Sequence, residues 1–277
     1  MKIYPKLSAQ KFSEEMEKIV LECEGIELQF FNENGIMSEF NFEDVVRQKK
    51  LEYPHLKEII IHPPLDNYNL ELIMLKDEKI FEEQLKTLVK LSEELNIKTA
   101  IVCHTYWTKD QYIATGLAKK LENLLKMLEE KNVIILIENL FMMLDELKGC
   151  SALEICKTIN HPNLKMCLDT THVHCKSNIW KIPFEQMLEN DFNPEDCEKY
   201  VRQIHFAAAL DNDGYTKKST HGRVHPSIEE VKKELDWIKK YNMINKNFIT
   251  EVGEEDYYLR KDQIKEIEML KKLSQEV

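Results

Sequence analysis

The stretch "VIILIE", residues 133–138, sets five branched apolar residues in a row and closes them with a glutamate. A short apolar run of this kind is typical of a buried β-strand. The carboxylate of Glu138 ends this apolar strand, and it needs a charged partner because an unpaired buried charge is costly. The stretch therefore predicts a core strand that carries a charged group at its carboxyl end.

The same pattern repeats along the chain, where strand-like runs alternate with longer segments of helical periodicity. Further strands are predicted at 26–31, 58–62, 99–104, 165–169, 202–207 and 248–251. The run at 2–8 is a weaker first strand, because Pro5 interrupts it. Helices are predicted near 9–22, 39–50, 77–95, 109–130, 144–158, 183–199, 227–241 and 259–275.

Eight strands and eight helices in strict alternation predict an α/β protein. The simplest arrangement is a single (β/α)8 TIM barrel that forms one domain over residues 1–277. The length agrees, because such barrels typically have about 250 residues. An open doubly wound sheet is the alternative, but no glycine-rich phosphate-binding loop marks it.

The composition, with 43% hydrophobic and 31% charged residues, is that of an ordinary globular protein. No apolar run reaches the roughly 18 residues of a membrane span, and the first residues lack a signal-peptide core. A cytoplasmic protein with no membrane partner is therefore expected. The seven cysteines form no CxxC pair and predict free thiols. The net charge of −11 argues against nonspecific nucleic-acid binding over the whole surface, although a local basic patch is compatible with it.

Polar side chains lie at the ends of most predicted strands, and a TIM barrel gathers such residues at its catalytic face. The candidates are His62, His104, Glu138, Asp169, His172, His205, His221 and Glu251. Asp169 and His172 can face one ion if the loop expected after the strand curls back. Three carboxylates packed together repel one another unless cations neutralise them. These residues therefore predict a divalent metal site.

The mixture of imidazoles and carboxylates suits zinc or manganese better than magnesium or calcium, which prefer oxygen ligands. Eight ligands exceed the number that one ion takes. Two to three ions are therefore expected, with Glu138 as a bridging ligand.

Several of these residues lie in short motifs: "IEN" at Glu138, "CLDTTH" at Asp169 and His172, "IHF" at His205, "STH" at His221 and "ITE" at Glu251. Their order and spacing resemble the metal residues of the xylose isomerase-like TIM barrel superfamily, in particular its endonuclease IV-like (AP endonuclease family 2) branch. The resemblance covers roughly residues 26–275. It implies three ions, one held by His62, His104 and Glu138, a second by Glu138, Asp169, His205 and Glu251, and a third by His172 and His221.

The chain departs from that branch in its loops. Ser219 stands where the resemblance implies an aspartate ligand of the third ion, and His225 or Asp213 are the alternatives. The glycine-rich stretch that the branch carries after the strand-five glutamate is replaced here by "NLFMMLDELKG". Because such loops touch substrate, we expect the metal residues to be retained with a different substrate.

Two enzyme classes fit these residues. In the first, the ions activate water and stabilise a phosphoester under attack, and Glu138 or Glu251 helps to deprotonate the water. Abasic-site DNA and sugar phosphates are the substrates expected for such a hydrolase. In the second, one ion binds adjacent oxygens of a sugar or sugar phosphate. Its ligands are Glu138, Asp169, His205 and Glu251, and the two glutamates act as acid and base of an isomerase or epimerase.

His62 and His104 favour the hydrolase, because a one-ion epimerase gives them no metal to bind. A metal-binding barrel that has lost its activity is a third interpretation. The sequence does not indicate the oligomeric state.

Overall fold

The computed structural model describes residues 1–8, 12–30, 41–63, 78–104, 117–139, 151–208, 222–254, 256 and 258–275. Its strands are β1 (Lys2–Ser8), β2 (Gly25–Gln29), β3 (Glu58–His62), β4 (Lys98–His104), β5 (Val133–Glu138), β6 (Leu164–Asp169), β7 (Val201–Phe206) and β8 (Asn247–Thr250). Each strand pairs in parallel with the next, and β8 pairs with β1, so that the sheet closes into a barrel. The predicted (β/α)8 TIM barrel is confirmed.

Helices surround the barrel. Within the described ranges they are α1 (Glu14–Glu22), α2 (Phe42–Glu52), α3 (Glu78–Leu95), α4 (Leu117–Met127), α5 (Ala152–Ile159), α6 (Thr170–Trp180), α7 (Phe184–Asp191), α8 (Pro194–Tyr200), α9 (Ile228–Lys240) and α10 (Lys261–Ser274). Their buried apolar side chains pack with the outward side chains of the strands in one large hydrophobic cluster.

Two predicted segments differ from the structure. The helix predicted over 183–199 is two helices, α7 and α8, because Asn193 is extended before Pro194 and caps the second helix. The loop expected after Asp169 is helix α6. Asp169 is its N-cap, and its Oδ1 accepts a hydrogen bond from the backbone nitrogen of His172 at 2.9 Å.

An apolar layer fills the middle of the barrel. Its members are Tyr4, Ile60, Ala100, Val102, Leu136, Cys167 and Ile249. At the amino-terminal end of the strands, Glu58 accepts hydrogen bonds from Tyr4, Arg202 and Asn247. The interior is a packed core rather than a pore, as in other barrels of this type. The layer therefore separates the polar residues at the carboxyl end of the barrel from those at the amino-terminal end.

No helix within the described ranges combines the length and hydropathy that a bilayer crossing requires. The six cysteines in those ranges are free thiols, as predicted, and the structure shows that all six are buried.

Candidate metal centre

Four of the predicted ligands converge at the carboxyl end of the barrel. They are Glu138 at the end of β5, Asp169 at the end of β6, His205 on β7 and Glu251 directly after β8. Their potential ligand atoms all lie within 4.8 Å of one another, and all four side chains are buried. The register accounts for part of this, because Asp169 is the direct partner of His205. Their role as metal ligands stays a prediction.

Two other predicted ligands, His62 and His172, lie beside this group. His62 Nε2 is 3.6 Å from Glu138 Oε2, and His172 Nδ1 is 3.5 Å from Glu138 Oε1. The backbone oxygen of Asn139 is closer to His172 Nδ1, at 2.6 Å. A carbonyl can only accept, so this nitrogen of His172 donates to the main chain.

The side chains of the remaining two predicted ligands, His104 and His221, lie outside the described residues. His104 ends β4, and the register pairs it with Glu138, but its side chain lies outside the described residues. His221 lies outside them altogether, as do Ser219 and Asp213. The proposed third ion therefore stays a prediction.

Hydrogen bonds to the main chain hold the strand ends in place. Asn139 Oδ1 accepts a hydrogen bond from the backbone nitrogen of Asp169 at 2.7 Å. Asn139 Nδ2 donates to the backbone oxygen of Asp169 at 3.1 Å. Thr170 Oγ1 donates to the backbone oxygens of His205 and Ala207, both at 3.3 Å. These contacts fix three ligand-bearing segments relative to one another.

Three buried polar residues that the sequence interpretation missed lie next to His205. They are Lys6 on β1, Glu27 on β2 and Gln203 on β7. Glu27 Oε2 accepts hydrogen bonds from His205 Nε2 at 2.9 Å and from Gln203 Nε2 at 2.7 Å. Lys6 Nζ is 3.1 Å from Glu27 Oε1 and also contacts Glu251 Oε1. The available signal was a polar or charged residue inside a strand-like run.

Ionisation of Asp169 is disfavoured within the acidic cluster. Burial raises the pKa of Asp169, and the charges of Glu251 and Glu138 raise it further, against the opposing effect of His172. A cation among these carboxylates would remove that cost.

The neighbouring pair is fully charged. Burial alone would raise the pKa of Glu27, but His205 and Lys6 lower it to about 2. Burial also lowers the pKa of Lys6, yet Glu251 and Glu27 raise it above its ordinary value. Lys6 is therefore an ammonium group and Glu27 a carboxylate.

The donor set fits a divalent ion. Three carboxylates and one imidazole meet in a buried site, which is a ligand mixture that zinc and manganese accept. A metal-binding histidine usually donates its other ring nitrogen to a carboxylate, and His205 Nε2 does so to Glu27. That leaves His205 Nδ1 facing Glu138 and Glu251.

His225, one alternative ligand of the third ion, lies elsewhere. It is buried, and its ring stacks on that of Phe206 at the end of β7, with centroids 4.9 Å apart. Its Nδ1 is 2.6 Å from Glu266 Oε1 and its Nε2 is 3.2 Å from Glu234 Oε2. This histidine joins α9 to α10 through two carboxylates, and its role as an alternative ligand of the third ion stays a prediction.

We expect His225 to make stability fall at alkaline pH. Burial lowers its pKa, but Glu234 and Glu266 raise it from 6.5 to about 9. The stabilising charge is fully present below about pH 6.5 and is lost as the pH rises through about 9. In urea unfolding, the fall in unfolding free energy between pH 6 and pH 10 should be smaller in His225→Gln by on the order of 3 kcal/mol.

The control for this prediction is His55→Gln, which removes an exposed histidine. Its pH dependence should match that of the unmodified protein. If His225→Gln keeps the full alkaline loss of stability, the ion pairs of His225 do not contribute as described.

The chain belongs to the xylose isomerase-like TIM barrel family, because the model of that family matches residues 21–238. No curated protein matches the sequence.

Solved structures of the same fold are similar over nearly their whole length. A D-tagatose 3-epimerase-like protein has a TM-score of 0.62 and 18% identity, covering 100% of this chain and 98% of its own. A xylose isomerase domain protein from Planctomyces limnophilus has a TM-score of 0.62 and 14% identity, covering 99% and 97%. D-psicose 3-epimerase from Clostridium cellulolyticum H10, solved with D-tagatose, has a TM-score of 0.59 and 15% identity, covering 100% and 99%.

Proposed function

We propose that the protein is a metal-dependent sugar isomerase or epimerase that acts on a ketose or its phosphate. The observation that carries the proposal is the group formed by Glu138, Asp169, His205 and Glu251, with all potential ligand atoms within 4.8 Å. These are the residues that the one-ion alternative requires. A further support is that two of the similar structures are, by name, a ketose epimerase and an epimerase-like protein.

The residues suggest how a proton would be moved. A bound divalent ion would polarise adjacent oxygens of the sugar and acidify the carbon-bound proton next to its carbonyl group. Glu138 and Glu251 come from strands on different sides of the barrel. One carboxylate would take the proton from one face of the carbon, and the other would return a proton to the opposite face. The packed layer below the site would close it on the amino-terminal side.

This proposal replaces the phosphoester hydrolase as the preferred function. The similar structures are named for sugar chemistry, and none of those described above is named for DNA cleavage. His62 favoured the hydrolase as a ligand of a further ion. In the structure it lies 3.6 Å from Glu138, where it can also contact a substrate oxygen.

We also infer that residues 1–277 form one domain. The last helix is joined to the first strand, because Arg260 Nη1 and Gln263 Nε2 both donate to the backbone oxygen of Lys6. Removal of α10 would expose these buried groups.

The proposal is tested by incubating the metal-loaded protein with a panel of ketoses and ketose phosphates and analysing the products by chromatography. Interconversion of epimers or of ketose and aldose is expected, and removal of the metal should abolish it. Abasic-site DNA is assayed in parallel. Metal-dependent cleavage of that DNA without any sugar interconversion would reject the proposal in favour of the hydrolase.

His62→Ala should discriminate between the two functions. If one ion is enough, the variant should retain its bound metal and lose no more than about 10-fold in kcat, because His62 then has no essential ligand role. In a multinuclear hydrolase the same change removes a ligand. Loss of bound metal in His62→Ala, measured by elemental analysis, would contradict the one-ion account.

A further inference from the structure

We propose that Lys6 is a built-in cation of the acidic cluster, and that its ammonium group limits the centre to one divalent ion per chain. The inference rests on the proposed function, since it explains how a barrel with so many potential ligands would hold a one-ion site. It assigns a positioning role to a residue on the first strand that the sequence pattern did not suggest.

The strand register places Lys6 between two carboxylates. Lys6 is the direct partner of Glu27 on β2. On the other side, Pro5 pairs with Thr250 of β8, so Glu251 follows at the level of Lys6. The ammonium group lies 3.1 Å from Glu27 Oε1 and contacts Glu251 Oε1. The side chain of Lys6 is only 3% exposed, which leaves it little freedom to move away.

A second group of potential ligands adjoins this position. Glu27, His62 and His205 have ligand atoms within 4.8 Å of one another, and all three are buried. Without Lys6, Glu27 and Glu251 would offer a second ion two carboxylates, and His62 would offer an imidazole, while His205 serves the first ion. The ammonium group offsets part of the negative charge of Glu27 and Glu251 and repels a divalent ion strongly, because charge interactions are large in a buried site.

The second carboxyl oxygens of Glu251 and Glu27 face the two ring nitrogens of His205. Glu251 Oε2 contacts His205 Nδ1, whereas its Oε1 contacts Lys6. Glu27 Oε2 binds His205 Nε2, whereas its Oε1 binds Lys6. Lys6 therefore holds both carboxylates in the orientation that presents them to His205.

The test is the number of Mn²⁺ ions bound per chain, measured without substrate by equilibrium dialysis and elemental analysis. The unmodified protein is expected to bind one ion. Lys6→Met keeps the length of the side chain but removes its charge, and it should bind two. Lys6→Met combined with Glu27→Gln should return to one, because a carboxylate of the second position is then missing.

Lys2→Met is the matched control. Lys2 lies on the same strand, but it is exposed and pairs with Glu24 at the other end of the barrel. It should leave the count at one. If Lys6→Met does not fold without metal, Mn²⁺ should restore its circular dichroism spectrum with two ions bound.

One ion in Lys6→Met, or a failure of Mn²⁺ to restore its fold, overturns the proposal for Lys6. That outcome is distinct from failure of the proposed function, which is read from sugar conversion by the unmodified protein. The rise from one ion to two can occur in a protein that converts no sugar.

Discussion

Glu138→Gln is expected to lower divalent-metal affinity by at least about 100-fold and sugar conversion by about 1000-fold. Glu138 lies within 4.8 Å of the potential ligand atoms of Asp169, His205 and Glu251. It is also one of the two proposed acid–base residues. Glutamine keeps the shape of the side chain, but it carries no negative charge and cannot accept a proton at neutral pH. Metal titration by calorimetry and steady-state kinetics on an accepted ketose give the two values.

Glu58→Gln is the matched control for this variant. Glu58 is also a buried glutamate inside the barrel, but it lies at the amino-terminal end, where it binds Tyr4, Arg202 and Asn247. Conservative changes at that end are expected to affect stability rather than activity. If Glu58→Gln lowers metal affinity as much as Glu138→Gln does, the loss reflects general damage to the barrel.

Asp169→Asn is expected to separate metal binding from stability. Asp169 is both a predicted ligand and the N-cap of α6. Asparagine caps helices about as well as aspartate. The substitution also removes a carboxyl group whose pKa is raised by burial and by neighbouring carboxylates. Metal affinity should fall at least about 100-fold, while the melting temperature of the metal-free protein should not fall.

Asp169→Ala serves as the comparison, because it removes the ligand and the cap together. It should lose metal affinity to a similar extent and also about 1 kcal/mol of stability. Scanning calorimetry of the metal-free variants measures this difference. Equal melting temperatures for the two variants would show that the hydrogen bond to the nitrogen of His172 does not stabilise α6.

The fold was predictable because its signals are local and repeated. Runs such as "VIILIE" and "EIIIH" have the composition of core strands, and eight of them alternate with helical segments. The division of 183–199 into two helices was missed, although Asn193 and Pro194 provide a break. Helix α6 was also missed, because "TTHVHC" has no clear apolar period.

The candidate site was predictable mainly where polar residues end apolar strands. Glu138, Asp169 and Glu251 could be found by this rule, and the structure brings them together with His205. Lys6 and Glu27 lie within strands, and their pairing depends on the register between β1 and β2. Register is a property of the folded sheet, so a linear pattern does not reveal which buried charges will neutralise each other.

The most direct test of the proposed function is deuterium incorporation from D2O into a ketose by the Mn²⁺-loaded protein, followed by proton NMR. An isomerase or epimerase that removes a carbon-bound proton should exchange it with solvent at the carbon next to the carbonyl group. We expect deuterium at that carbon with the unmodified protein and none with Glu138→Gln. Absence of exchange across the whole ketose panel, with the ion bound at the centre, would contradict the account.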